Sequence, residues 1–182
     1  MKLIFAILAL YIFQAQAAGC NCVVFRLDDI QDYWLSNNQQ IIINTFRNRS
    51  LPLTLGVIGN YFGTDGTLVQ AISNGLSDPT FPLEIANHGY NHEDFTKFTY
   101  EEQLALLQNA IAKTKGVFPA VTINSFIPPY NAWNNDTLEA LSAVNITFMS
   151  SQMTFDNGPY AFSGAIITIK KLMFRCNIVS LS

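Results

Sequence analysis

The sequence predicts an α/β fold, a parallel sheet with helices packed on its faces. Three observations carry that prediction. Short β-branched or aromatic runs alternate with longer helical patterns, and capping and glycine signals punctuate them. The polar residues that stand out fall just after the strand-like runs, where chemistry collects in barrel-type α/β folds. At 182 residues the chain is one domain by length, with enough material to bury a core.

The elements follow in order. Cys22 to Leu27 reads as a buried strand, and residues 36–49 as a helix turning Ile42 and Phe46 inward. Leu53 to Ile58 is the second strand. Asp65 caps a helix that carries Leu68 and Ile72 and is expected to stop at Gly75. Leu83 to Asn87 is the third strand. Thr99-Tyr100-Glu101-Glu102 is a capping box, in which the Thr hydroxyl and the Glu three residues on satisfy orphan N–H groups reciprocally. It opens a helix with Leu104, Leu107 and Ile111 on one stripe, ending at Gly116. Asn124 to Ile127 is a fourth strand, Asn134 or Asn135 caps a helix through Leu138, Leu141 and Val144, and Phe148 to Ser150 is a fifth strand. Ala165 to Ile169 offers one more strand, but five strands do not close a barrel.

The ends of the chain suggest where it works. Lys2, the apolar run Leu3 to Phe13 and the small residues of Ala15-Gln16-Ala17 have the layout of a secretory signal, assigning residues 1–17 to the leader and 18–182 to the domain. The apolar run is too short for a membrane anchor, which needs about 20 residues, so no span is expected after cleavage. Cys20 and Cys22 are too close to bridge each other without strain, and either can pair with Cys176, leaving one odd thiol. Asn48, Asn135 and Asn145 open glycosylation triplets. A net charge of −3 with no Lys/Arg-rich run disfavours nucleic acid and anionic membrane as partners. A secreted, extracellular monomer handling neutral polar material fits the composition.

The chemistry rests on few residues. The only two histidines, His88 and His92, stand four apart in His88-Gly89-Tyr90-Asn91-His92, downstream of Asp28-Asp29. That spacing lets both imidazoles turn to one cation, and a carboxylate from elsewhere completes a His₂–carboxylate site with open positions for water. Each residue also has a plainer role: an Asp pair capping a loop, histidines on a polar loop, Tyr130 anchoring a rigid turn.

Together, Phe25-Arg26-Leu27-Asp28-Asp29, then His88 to His92, then Ile127-Pro128-Pro129-Tyr130-Asn131 resemble the first three motifs of the polysaccharide deacetylases, the chitin-deacetylase-like group (carbohydrate esterase family 4) with the NodB homology fold. The resemblance covers about residues 22 to 150. It implies a distorted (β/α) barrel, incomplete here at its C-terminus. It also implies one divalent ion, Zn²⁺, held by Asp29, His88 and His92, with Asp28 as general base and the Tyr130 backbone N–H donating to the oxyanion. The implied substrate is an N-acetylated glycan such as chitin or its oligomers, hydrolysed at a non-peptide C–N bond. Trp34 and Trp133 flank the first and third motifs. With Tyr90 and Pro129 they are candidate walls for a sugar ring, although both tryptophans serve equally well as core anchors.

The chain also departs from the family pattern. Ile30 replaces the glycine that usually closes the first motif, and Ile127 the arginine that orients the base. Arg26 shares a strand face with Asp28 by alternation and is expected to supply the missing cation. No third histidine exists to act as general acid, and the tail from Lys170 to Ser182 reads as an early end. Two functions therefore stand: a secreted metal-dependent deacetylase, or a weak or inactive deacetylase-like module that binds carbohydrate.

Overall fold

The computed structural model describes residues 25–151. The predicted leader, the three cysteines and the possible strand at 165–169 lie outside them. Five strands form one parallel sheet in sequential order: β1 (Arg26–Ile30), β2 (Leu53–Val57), β3 (Leu83–Asn87), β4 (Ser125–Phe126) and β5 (Phe148–Met149). Between them run α1 (Ser36–Asn48), α2 (Gly66–Leu76), α3 (Tyr100–Val117) and α4 (Asn135–Ala143), one helix in each crossover.

The sheet is an open half-barrel. Strand spacing of about 4.8 Å puts the edges of a flat five-stranded sheet about 19 Å apart, well beyond an arginine's reach. Yet Arg26 on β1 donates through Nη1 to the Ser150 carbonyl at 2.9 Å and to its hydroxyl at 2.8 Å, just past β5. The sheet therefore curls until one side chain ties its two edge strands.

Two apolar clusters hold the helices to the sheet. Ile30, Leu55 and Ile85 pack with Ile43 of α1 and Leu68 and Ile72 of α2; Phe126 and Met149 pack with Leu107 of α3 and Leu141 of α4. Each fully buried aliphatic or aromatic side chain contributes about 1.5–3 kcal/mol. β2 is buried at every position, which is why it reads as an unbroken apolar run rather than an alternating one.

Several expectations shift by one to three residues, each for a physical reason. β1 does not end at Leu27. It runs through Asp28-Asp29 to Ile30, with a register irregularity between Leu27 and Ile30 and Asp29 at φ 60°. The two acids thus sit in a bulged strand end rather than after it. Gly75 and Gly116 do not stop their helices, which reach Leu76 and Val117. Gly75 is there for packing, since a Cβ would lie 2.7 Å from Leu83 Cδ2. On α1 the buried residues are Gln39 and Ile43, with Ile42 and Phe46 only partly covered. On α3 the deepest line is Gln103, Leu107, Ala110 and Thr114. Gln103 earns its interior place by bonding the Phe98 carbonyl, Asn134 Oδ1 and the Thr137 hydroxyl, so it braces the cap of α4. Both the Thr99 and Asn134 caps form, each as a reciprocal box.

Candidate metal centre

Asp29, His88 and His92 converge at the C-terminal ends of β1 and β3, and one ligand atom from each lies within 4.8 Å of the other two. The Nε2 atoms of His88 and His92 stand 3.3 and 3.1 Å from the same oxygen, Asp29 Oδ1. Two imidazole nitrogens and a carboxylate oxygen on one point are a borderline-soft donor set suited to Zn²⁺.

The two histidines are held by different means. His88 is 3% exposed, and its Nδ1 lies 2.7 Å from the Ile127 carbonyl. A carbonyl only accepts, so a proton is on Nδ1 and Nε2 is the nitrogen turned toward Asp29. His92 is partly exposed, sits at φ 60° and packs its ring on Tyr130 at 4.7 Å between centroids. Burial, and then the neighbouring His88, hold its imidazole below the ordinary histidine range, which keeps it neutral and ready to ligate.

Asp28 lies beside this cluster. Arg26 Nε stands 2.8 Å from Asp28 Oδ1. The guanidinium is therefore on the same side of the strand as the carboxylate, as alternation predicts. That oxygen is shielded from solvent yet has no hydrogen-bond partner among the described residues. The two facts differ because the Nε–H does not point along the short contact, leaving a charge pair rather than an aligned hydrogen bond. Ile127 and Asp28 crowd one spot above β2: a Cβ on Gly56 would meet Ile127 Cδ1 at 3.1 Å and Asp28 Oδ1 at 3.4 Å. Glycine at 56 keeps the sheet open beneath the carboxylate.

Tyr130 follows β4 in a 3₁₀ turn at φ 57°, with the residue 69% exposed. Pro129 is buried beneath it, its Cγ 3.2 Å from where a Cβ on Gly89 would sit. Tyr90 lies in the histidine loop, partly buried. Trp34 is 57% exposed on the β1–α1 loop, whereas Trp133 is partly buried against the second apolar cluster. Gln39 secures Trp34's loop by donating to the Trp34 and Gln31 carbonyls at 2.6 and 3.0 Å. Three residues that shape the site escaped the sequence reading: Gln39, Asn60 and Glu93. Glu93 carried a faint signal, as the acid directly after the second histidine.

The sequence model of the family described as polysaccharide deacetylase matches residues 15–149, well over half of the chain. This chain belongs to the polysaccharide deacetylase family. No curated protein matches it in sequence. Among solved structures it is similar to a family 4 carbohydrate esterase from Streptomyces lividans in complex with acetate, at 22% identity and a TM-score of 0.57, covering 71% of this chain and 62% of that one. It is similar to a family 4 pseudoenzyme from Bacillus anthracis, at 14% identity and a TM-score of 0.57, covering 69% and 42%. A peptidoglycan deacetylase from Bacillus subtilis resembles it at 14% identity and a TM-score of 0.53, covering 70% and 56%. The chain thus spans less than two thirds of each. At these identities the likeness supports the fold: a deacetylase-type α/β half-barrel, in a family whose members are generally metal-dependent.

Proposed function

We propose that this chain is a secreted hydrolase that uses one bound Zn²⁺ to remove acetyl groups from an N-acetylated polysaccharide, such as chitin or its oligomers. The observation that carries the proposal is the convergence of Asp29, His88 and His92, with Asp28 alongside. When bound, a divalent ion polarises the acetamide carbonyl and makes water acidic enough to ionise near about pH 7.

The chain's own groups supply the rest. Asp28, held beside the Arg26 guanidinium, takes the proton of the attacking water. The Tyr130 N–H donates to the carbonyl oxygen as negative charge gathers on it. Exposed Trp34 offers an aromatic face for the sugar, with Tyr90, Pro129 and Trp133 as further walls. The C–N bond then breaks, giving acetate and an amine whose nitrogen needs a proton. Both histidines of the chain are in the metal cluster, so no imidazole remains to deliver it. Lack of a general acid costs about 10²–10⁴-fold, and turnover is expected to be slow. The same observation favours the second reading, a deacetylase-like module that binds glycan with little hydrolysis.

Residues 18–182, loaded with zinc and given N-acetylglucosamine oligomers, provide the test. Slow acetate release that Asp28→Asn abolishes supports the hydrolase. Glycan binding without acetate supports the module. A protein that takes up no divalent ion sinks both metal-based readings, and a rate above about 1 s⁻¹ shows that another residue supplies the proton.

A further inference from the structure

His88 is oriented through its ring, by the bond from Nδ1 to the Ile127 carbonyl, but no described residue bonds the Nδ1 of His92. Ligating histidines are normally oriented by such a bond. His92 must be aimed another way, through its backbone, which sits at φ 60° in the left-handed region. A non-glycine residue stays there only where its surroundings over-determine it.

The hydrogen bonds of the loop show what does so. Gly89 N–H donates to Asn87 Oδ1 at 2.8 Å. The carbonyls of Gly89 and Tyr90 accept from the N–H groups of Gly59 and Asn60 at 3.1 and 2.8 Å, and Asn60 Nδ2 donates to Asn91 Oδ1 at 2.8 Å. The turn after β2 therefore fixes one side of the loop. On the other side, the Tyr90 and Asn91 N–H groups both end on the Glu93 carboxylate, at 3.2 Å to Oε1 and 2.6 Å to Oε2. Residue 89 has to be glycine for this to fit: it is at φ +78°, and a Cβ would lie 2.9 Å from Glu93 Oε2.

We infer that Glu93 is a positioning residue for the metal centre, its two oxygens clamping the loop so that His92 presents Nε2 beside Asp29. The inference rests on the metal-binding reading proposed above. Glutamate is required because the clamp needs two acceptors. The isosteric glutamine keeps one acceptor and turns an NH₂ donor toward the other N–H.

Glu93→Gln is accordingly the variant to make, compared with wild type by zinc competition, by the visible spectrum of the Co²⁺-loaded chain, and by amide hydrogen exchange of the metal-free chain. We expect zinc affinity to fall about 10–100-fold, the cobalt band to change at saturation, and the Tyr90 and Asn91 amides to exchange faster while those of β2 do not. Unchanged zinc affinity and cobalt spectrum in Glu93→Gln, with wild type binding both ions, overturn this inference alone. A wild-type chain that takes up neither ion overturns the hydrolase reading and this inference together.

Discussion

The two ends of the same sheet hold buried polar groups in opposite ways. At the N-terminal ends, Glu84 of β3 accepts from the Thr54 hydroxyl of β2 at 3.0 Å and the Ser125 hydroxyl of β4 at 2.6 Å. Both carboxylate oxygens are engaged and the strands there are regular, although a recess of about 530 Å³ opens beside Glu84. At the C-terminal ends, Asp29, His92, Tyr130 and Asn131 all have positive φ, and Asp28 Oδ1 lacks a hydrogen-bond partner among the described residues. Left-handed backbone and an unsatisfied acceptor each cost free energy. Left-handed residues also precede β2 and β5 at the other end, Ser50 and Asn145, but there they fall outside the polar cluster. The difference teaches which end is the site: a polar cluster that is fully satisfied on regular backbone is structure, and one held against strain is chemistry.

The largest expected effect comes from breaking the strained end. His88→Ala removes one of three ligands and leaves the Ile127 carbonyl unpaired in the interior. Elemental analysis should find no stoichiometric zinc, and urea unfolding of the metal-free protein should show a loss of about 1–3 kcal/mol. Zinc retained at one per chain would contradict the assignment. Next, Arg26→Gln releases Asp28 while keeping the fold. Displacing a reacting group by about 1 Å costs up to about 10²-fold, so acetate release should fall about 10–100-fold. Both partners of the pair are about 30% exposed, so the lost ion pair, discounted for solvent, costs about 1 kcal/mol or less, and the two Arg26 hydrogen bonds to Ser150 are lost besides. A rate equal to wild type would show that Asp28 needs no cation.

Glu84→Ala sharpens the contrast from the other end. It should lower unfolding free energy by about 1–3 kcal/mol and leave zinc affinity within about twofold; a loss of metal binding here would erase the distinction between the two ends. The smallest effects are in pH. Burial, and then the neighbouring His88, hold the His92 imidazole below the ordinary histidine range, so the loss of zinc affinity as His92 protonates should set in at a lower pH than a free imidazole would give. Hydrogen bonds from the Ser36 and Thr67 hydroxyls to Asp65, and from the Thr80 hydroxyl and Arg47 to Asp78, lower both carboxyls from 3.8 to about 2. Depressed carboxyl pKa values stabilise the fold above the unfolded value, so this contribution is whole above about pH 4 and fades toward about pH 2. Circular dichroism during acid titration should show Asp65→Asn and Asp78→Asn flattening that limb slightly, since both groups keep partial contact with solvent.

Much of this was legible in the chain because it depends on local rules. The capping box at Thr99 needs only a few adjacent residues and forms, and of the two candidate caps Asn134 and Asn135 it is Asn134 that caps α4. The Leu53 and Leu83 strands follow from apolar runs, and the histidine pair from spacing alone. Gly75 misled as a helix stop, because a glycine that ends a helix and one that lets Leu83 approach look identical in sequence, while Gly116, in open space, lies one residue short of the end of α3. Nothing local in the sequence marks Gln39 or Gln103 as interior, and Glu93 shows only as the acid directly after the second histidine. Their partners are carbonyls, amides and hydroxyls exposed by loops whose path no local pattern discloses.

By itself, then, the sequence determined the alternation of strands and helices, the family, and the residue types that can ligate a metal, since periodicity, capping and motif spacing are short-range properties. Only the tertiary structure decided that Asp29 from β1 meets two histidines after β3, that Arg26 also reaches Ser150 across the sheet, and that Glu93 rather than a ring hydrogen bond aims His92. Those contacts join residues far apart in the chain or depend on left-handed backbone. They exist because curling a parallel sheet brings its strand ends together, and that convergence is a property of packing which no stretch of sequence carries alone.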